Sequence, residues 1–228
     1  MNKPLVIITG ASSGIGSAMA KIFSVSGYSL GLIARNLDAM KNLNLPNSIC
    51  LSADVSNKAA LENAINAIKE KLGPVDCLIN NAGVVKTGDF TAIDHNDNEN
   101  MIKVNLLGLM NGIEIVLPSM VVRRSGTIIN ISSIADRNAR PKLAVYAATK
   151  SAVKSLTESL RMANAKHGIR ICNLAPAKIK TPMLIEANIN DDEVISSNDL
   201  ARAALWIYQQ PQNICIRDLV IAPTCYEP

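Results

Sequence analysis

Thr9-Gly10-Ala11-Ser12-Ser13-Gly14-Ile15-Gly16 is the stretch whose reading decides the fold. It follows Leu5–Thr9, a short β-branched apolar run that reads as a buried strand, and it opens a segment of helical period near Gly14–Ser26. A glycine turn between strand and helix is where a phosphate cradle belongs. Residues without side chains let backbone N–H groups and a helix N-terminus approach a pyrophosphate closely. Gly10, Ser12, Ser13, Gly14, Ile15 and Gly16 are therefore candidate cofactor contacts. The spacing is G-x-x-x-G-x-G rather than the G-x-G-x-x-G of many dinucleotide folds, and the Gly-Lys-Ser/Thr ending of a nucleoside-triphosphate loop is missing.

Outward from that turn, short apolar runs alternate with longer helical segments. Strands are predicted at Tyr28–Ala34, Ser48–Ala53, Val75–Asn80, Thr127–Ile131, Ile169–Leu174 and Cys215–Ile221. Helices are predicted from about Asn57 to Leu72, with Leu61, Ala64, Ile65 and Ile68 on one face and Gly73-Pro74 as the stop. Others follow at Glu99–Val122, Tyr146–Lys166 and Asn198–Gln210. Strands that are apolar throughout and alternate with helices imply an α/β, doubly wound parallel sheet of about seven strands, covered on both faces. Ligands of such sheets bind at the carboxyl ends of the strands. Gly10, Asn81, Ser133, Pro176 and Thr181 all fall just past predicted strands, so one crevice would gather them.

The 228 residues are read as a single Rossmann-type domain spanning 1–228, with a substrate-loop region at 182–197. Hydrophobic residues make up 48% and aromatic residues only 3%, which predicts a large aliphatic core. That scarcity of aromatics argues against stacking platforms for single-stranded nucleic acid. A net charge of +4, spread along the chain, argues against a DNA-binding patch. Cys50, Cys77, Cys172, Cys215 and Cys225 are odd in number and lack a C-x-x-C pair, so neither a disulfide framework nor a zinc site is expected. His95, His167 and the Asp191-Asp192-Glu193 run read as surface residues, and no metal site is expected. No signal-peptide pattern opens the chain, and no apolar run is read as reaching the roughly 18 residues that span a bilayer. A cytoplasmic protein with no membrane or nucleic-acid partner is the expectation.

The residue at the end of the second strand bears on the cofactor. A dinucleotide site specific for NAD typically carries an acidic residue about 20 positions after the glycines. Here Arg35 stands nineteen after Gly16, and a guanidinium there would pair with a 2′-phosphate. Asp38 competes from three residues further on. NADP(H) is favoured over NAD(H).

Tyr146 and Lys150 lie four apart, and Ser133 lies thirteen before the tyrosine. On a helix, positions i and i+4 share a face, so the phenol and the ammonium would meet. A cation beside it would draw the tyrosine pKa down toward neutrality and fit it for proton transfer, with the serine hydroxyl holding a carbonyl oxygen. Ser132 is the alternative serine, and the thirteen-residue offset selects Ser133.

Taken together, these motifs resemble the short-chain dehydrogenase/reductase family almost end to end. The match runs from the Thr-Gly-x-x-x-Gly-x-Gly turn through Asp54-Val55, Asn80-Asn81-Ala82-Gly83, Asn105, Ser133, and Tyr146 with Lys150 to Pro176–Thr181. The resemblance implies that Asp54 accepts from the adenine amino group beside Val55, and that Asn81, Ala82 and Gly83 line the adenosine ribose. It implies Tyr146 as general acid, Ser133 as the group polarising the carbonyl, and Lys150 as holder of the nicotinamide ribose. Asn105 would keep a water joined to Lys150. Pro176, Ile179 and Thr181 would lie about the nicotinamide, and Asn80 would tie strands together. One departure is Pro176-Ala177 where the family usually has Pro-Gly, and the added methyl is expected to restrict the backbone there.

The resemblance also implies an oxidoreductase that interconverts a carbonyl and a secondary alcohol. The short loop after Thr181, with Met183, Leu184, Ile185 and Ile189 as lid residues, points to a small substrate. The ending Cys215–Thr224 resembles a branch acting on small 3-hydroxy acids, which are the first substrate class. A 3-oxoacyl thioester reductase or a general carbonyl reductase are the alternatives, and a non-catalytic NADP(H) sensor is the alternative of another class. The apolar Glu99–Val122 helix implies a homodimer or homotetramer.

Overall fold

The computed structural model describes residues 3–181 and 194–226. Its strands are β1 (Lys3–Thr9), β2 (Tyr28–Ala34), β3 (Ser48–Ser52), β4 (Val75–Asn80), β5 (Gly126–Ile131), β6 (Ile169–Pro176), β7 (Ile179–Lys180), β8 (Ile195–Ser196) and β9 (Asp218–Ile221). The helices are α1 (Gly14–Val25), α2 (Leu37–Lys41), α3 (Lys58–Leu72), α4 (His95–Ile102), α5 (Gly108–Arg123), α6 (Ala144–Asn164) and α7 (Ser197–Gln209). Seven strands form one sheet in the order β3-β2-β1-β4-β5-β6-β9, with every neighbouring pair parallel. The chain order reverses between β1 and β4, and a parallel sheet opens a crevice there at its carboxyl edge.

The inner strands β1, β2, β4, β5 and β6 are buried on both faces because helices cover both, while the edge strands β3 and β9 are partly exposed. On one side, Met19 and Phe23 of α1 pack with Leu200 and Ala204 of α7 against Val6, Ile8 and Leu32. On the other, Leu61 and Ile65 of α3, Ile113 and Met120 of α5, and Val153 of α6 pack against Ile7, Leu78 and Ile128. The predicted face of α3 is the buried one. Asn57 caps this helix by accepting from the Ala60 N–H at 3.0 Å, and Gly73, at φ +91°, ends it. The few aromatics do not spread through the core: Phe23, Tyr28 and Tyr208 cluster with ring centroids 5.3–5.9 Å apart.

Three features differ from the sequence expectation. The long apolar helix begins earlier, at His95, where Asp94 accepts from the Asn96 N–H at 2.8 Å, and a π-helical turn at Lys103–Leu107 divides α4 from α5. This continuous run, His95–Arg123, is 29 residues long and apolar enough by composition to cross a bilayer, contrary to the reading by contiguous apolar residues. Asn105, Asn111 and Glu114 interrupt the apolar run without breaking the helix, and half of its most apolar window is buried inside the fold. The small β7–β8 pair, outside the main sheet, was not predicted, because two-residue strands carry no periodic signal. Most of the expected substrate loop, including Met183, Leu184, Ile185 and Ile189, lies outside the described residues, as do Asp191, Asp192 and Glu193.

Candidate active site

The glycine turn owes its shape to two close approaches. Gly10 adopts φ +66°, a conformation that L-residues rarely enter, and its N–H donates to the Ile33 carbonyl at 2.8 Å. A Cβ on Gly16 would stand 2.2 Å from the Gly10 carbonyl oxygen and 2.6 Å from Asn81 Nδ2. Asn81 clasps the turn by donating Nδ2 to the carbonyls of Thr9 (3.1 Å) and Gly10 (3.2 Å). The Thr9 hydroxyl accepts from the N–H groups of Asn81 and Ala82. Ser13 precedes α1 without capping it by its side chain, whereas Asn36, Asn57 and Ser196 cap α2, α3 and α7. The first-turn N–H groups of α1 thus keep no side-chain acceptor, which suits an anion.

Beside this turn lies a cavity of about 450 Å³ bounded by Gly10, Ser12, Ser13, Arg35, Asp54, Val55, Ala82 and Gly83. Arg35 stands exposed at its edge, and Asp38 sits instead in the first turn of α2, outside that lining. Asp54 accepts from the N–H (2.9 Å) and hydroxyl (2.7 Å) of Ser56. Partial burial would raise its carboxyl pKa, but those two bonds and the nearby Arg35 charge hold it below the usual carboxylate value.

A second cavity, about 420 Å³, shares Gly83 and Val84 with the first. Ile15, Ser133, Tyr146, Lys150, Pro176, Ile179 and Thr181 all line it. Of the sequence-predicted site residues, all but Gly14, Gly16 and Asn105 line one continuous cleft. Ser133 opens a 3₁₀ turn, Ile134–Asp136, and its hydroxyl oxygen accepts from the Ala135 N–H at 3.2 Å. Tyr146 and Lys150 share the inward face of α6, as i,i+4 spacing requires.

The electrostatics differ from the expectation in one respect. Burial pushes the Tyr146 phenol above its ordinary pKa, opposed by a hydrogen bond with Ser133 and reinforced by the Asp136 charge. Lys150 does not draw it down. Its ammonium, 5% exposed, donates to the Ile131 carbonyl at 2.9 Å and lies 5.6 Å from the centre of the tyrosine ring. Burial also pushes Lys150 down to about 8, opposed by Asp136. At Tyr146 the cost of burying a phenolate is the largest influence, and it outweighs what the spacing to Lys150 suggested.

Asn105 occupies the π-helical turn, which lifts it out of α-helical register. Its Oδ1 accepts from the Val84 N–H (2.8 Å), and its Nδ2 donates to the Val84 carbonyl (2.9 Å) and the Thr149 hydroxyl (3.3 Å). A Cβ on Gly83 would lie 3.3 Å from Asn105 Oδ1 and 3.8 Å from Lys150 Nζ, so these three residues meet. Asn80 donates to Asn130 at 2.9 Å, opposite it in register, and ties β4 to β5.

Asp136 is the residue that sequence reasoning missed. Buried to 5% exposure, it accepts from the Ser132 hydroxyl (2.9 Å), Asn173 Nδ2 (2.9 Å) and Arg137 Nε (2.6 Å). Arg137 also donates to Asp218 on β9 at 2.9–3.0 Å, and those two carboxylates raise the guanidinium pKa. Partners 37 and 81 positions away leave no mark in the sequence; nearness to Ser133 was the only signal. The same network uses the Ser132 hydroxyl, leaving Ser133 to bond Tyr146.

Ala177 is accommodated without strain. It is not among the non-glycine residues of positive φ (Asn44, Asn47 and Arg124), and its N–H donates to the Ile221 carbonyl at 2.8 Å. The expected restriction by the methyl group is therefore compatible with an ordinary backbone. His95 is exposed, 3.7 Å from Glu99. Among the described residues, no group of three or more His, Cys, Asp or Glu is placed to hold a metal.

The chain was compared with known families and structures. A family profile described as short chain dehydrogenase matches residues 4–192. An uncharacterized oxidoreductase of Listeria monocytogenes is 34% identical, with 96% of each chain covered. A serine dehydrogenase in its closed form, complexed with NADP+, superposes with a TM-score of 0.92 at 26% identity, over 98% of this chain and 96% of that one. The 3-ketoacyl-(acyl-carrier-protein) reductase of Brucella melitensis, complexed with NADH, gives 0.90 at 28% identity over 97% of each chain.

Proposed function

The chain belongs to the short-chain dehydrogenase/reductase family of oxidoreductases, and from that membership we propose an NADP(H)-dependent enzyme that interconverts a small carbonyl compound and its secondary alcohol. One observation carries this reading: Ser133, Tyr146 and Lys150 line a cavity that opens, at Gly83 and Val84, into the glycine-turn cleft. The cleft suits a dinucleotide, because side chains at Gly10 and Gly16 would collide with backbone, and the start of α1 keeps its N–H groups free of side-chain acceptors. Gly10 to Gly16 would hold the pyrophosphate, Arg35 a 2′-phosphate, Asp54 and Val55 the adenine, and Asn81, Ala82 and Gly83 the ribose. Tyr146, Lys150, Pro176, Ile179 and Thr181 would hold the nicotinamide half. When bound, the nicotinamide supplies or accepts the hydride.

In the direction of reduction, Tyr146 donates its phenolic proton to the carbonyl oxygen. Its raised pKa keeps that proton in place at neutral pH. Ser133 steadies the carbonyl oxygen beside it, and Lys150 passes protons toward Asn105. A small 3-hydroxy acid is the first substrate class, in keeping with the serine dehydrogenase likeness. The likeness to a 3-ketoacyl thioester reductase supports the second. A cleft retaining Ser133, Tyr146 and Lys150 favours an enzyme over a sensor.

A homodimer or homotetramer is part of this reading. Ile113, Leu117 and Val121 of α5 and Leu156 and Leu160 of α6 line an apolar groove of about 460 Å³ on the outer face. Val122 and Met162 stand exposed at 84% and 66%, a cost that a second copy would relieve.

The test is oxidation of NADPH and NADH with a panel of small ketones, 3-oxo acids and quinones. NADPH that binds without any carbonyl being reduced at any pH would sink the enzyme reading. Arg35→Asp is expected to raise the Michaelis constant for NADP(H) by about 10-fold or more, from loss of charge-assisted hydrogen bonds, while improving use of NAD(H). An unchanged cofactor ratio would remove Arg35 from the 2′-phosphate.

Asp136→Asn should move the pH profile of turnover. The Asp136 charge favours the protonated forms of both Tyr146 and Lys150, so removing it lowers both pKa values. The alkaline limb of kcat for reduction therefore moves toward lower pH, and a limb that stays in place would refute the coupling. Stability carries a matching sign. Because Lys150 is depressed in the folded state, its burial costs stability fully below pH about 8, and the cost fades as pH rises toward 10.5.

A further inference from the structure

Arg140 lies six residues before Tyr146 and lines the same cavity, whose walls are otherwise largely apolar: Val84, Val85, Ile134 and Leu143. Some arginines of this protein have carboxylate partners, as Arg137 has in Asp136 and Asp218, Arg161 in Glu158, and Arg202 in Asp199, while Arg123, Arg124 and Arg170 donate to backbone carbonyls. Arg140, half-buried, is the arginine that lines this cavity. Among the described residues its recorded partner is a neutral phenol: a guanidinium nitrogen donates to the Tyr226 hydroxyl, and the guanidinium carbon lies 5.7 Å from that ring's centre.

A partly desolvated cation without a counter-ion is costly, and a bound anion relieves the cost. Guanidinium is also the side chain that best matches a carboxylate, through two parallel hydrogen bonds. Tyr226 adds to this fit. A phenol that accepts from an arginine still has its own O–H to donate. The Tyr226 N–H donates to the Pro223 carbonyl at 3.0 Å, a turn that brings the end of the described chain back to the cavity.

Resting on the carbonyl/alcohol reading above, we propose that Arg140, assisted by Tyr226, binds the carboxylate of the substrate, so that the enzyme acts on short-chain oxo and hydroxy acids in preference to their neutral counterparts. Ser133 and Tyr146 hold the carbonyl, and Arg140, in the lining of the same cavity, anchors the acid. The anchor supplies affinity, because a small substrate has few other groups to grip.

The test compares acetoacetate with methyl acetoacetate, which differ at the carboxylate, as substrates for NADPH oxidation. The unaltered enzyme should prefer the acid. Arg140→Gln should raise the KM for acetoacetate by about 10- to 100-fold, the worth of hydrogen bonds to a charged group, and leave kcat and the ester's KM nearly unchanged. Tyr226→Phe should give a smaller loss of the same kind. Unchanged NADPH affinity in both variants checks that the fold is intact.

Titration calorimetry of 3-hydroxybutyrate into the protein saturated with NADP+ separates this proposal from the reading it rests on. Binding that Arg140→Gln abolishes, with no turnover of either compound or of the wider carbonyl panel at any pH, would uphold the carboxylate site and defeat the enzyme reading. Preference for the ester, an acetoacetate KM that Arg140→Gln leaves in place, or absence of 3-hydroxybutyrate binding to the unaltered protein would each overturn the carboxylate site.

Discussion

Tyr146→Phe is expected to lower turnover by about 10²- to 10⁴-fold, the usual worth of a positioned general acid. The substitution removes one oxygen and little else. The ring stays on α6, and Lys150 keeps its bond to the Ile131 carbonyl, so the cavity walls hold their places. NADPH affinity should therefore change little, and the loss should fall on kcat. Single-turnover reduction at saturating NADPH measures it directly. Full activity in the variant would remove Tyr146 from the mechanism and leave Ser133 or water as the proton source. A loss accompanied by much weaker NADPH binding would point to a positioning role for the phenol.

The second large effect is expected at the glycine turn. In Gly16→Ala the new methyl group would stand 2.2 Å from the Gly10 carbonyl oxygen and 2.8 Å from its carbon. Backbone cannot swing aside as a side-chain tip can. Either α1 shifts away from the turn, or the Gly10 peptide moves and releases Asn81. Overpacking of this kind costs about 1–3 kcal/mol. For a chain of this length that is roughly 2–10 °C in melting temperature. The dissociation constant for NADPH should also rise, by about tenfold or more, since the displaced atoms belong to the proposed cradle and each lost charge-assisted bond carries about 1.5–3 kcal/mol. Thermal melts with and without NADPH measure both parts. An alanine variant with an unaltered melt and unaltered affinity would show that this turn is not the dinucleotide cradle.

Much of the cleft was legible in the chain because its signals are local. The turn from Thr9 to Gly16 declares itself by residue type, since few other sequences serve a strand that must turn so tightly into a helix. Tyr146 and Lys150 meet because helical periodicity alone brings i and i+4 together. The strands of the sheet showed as uninterrupted apolar runs, because a parallel sheet buried on both faces has no polar side to reveal. Arg35 was found by counting from the glycines, and its position at the edge of the first cavity follows from β2 lying beside β1.

What the chain concealed depends on contacts between distant positions. The π-helical turn that lifts Asn105 toward Val84 has no sequence signature, and it divides what periodicity reads as one helix. The direction of the Tyr146 pKa was misjudged for a related reason. Spacing reports that a cation is near, whereas burial, which depends on everything packed around the pair, penalises the phenolate and raises the pKa. Asp136 acts through Asn173, Arg137 and Asp218, and Arg140 meets Tyr226 from 86 residues away.

By itself, then, the sequence determined the doubly wound sheet, the glycine turn and the pairing of phenol with ammonium, all set by residue type and short-range periodicity. Tertiary structure alone decided which charges are desolvated, which carboxylate stands behind Lys150, and that Arg140 meets Tyr226 in the lining of the second cavity. Those are sums over neighbours in space, and chain order does not record them.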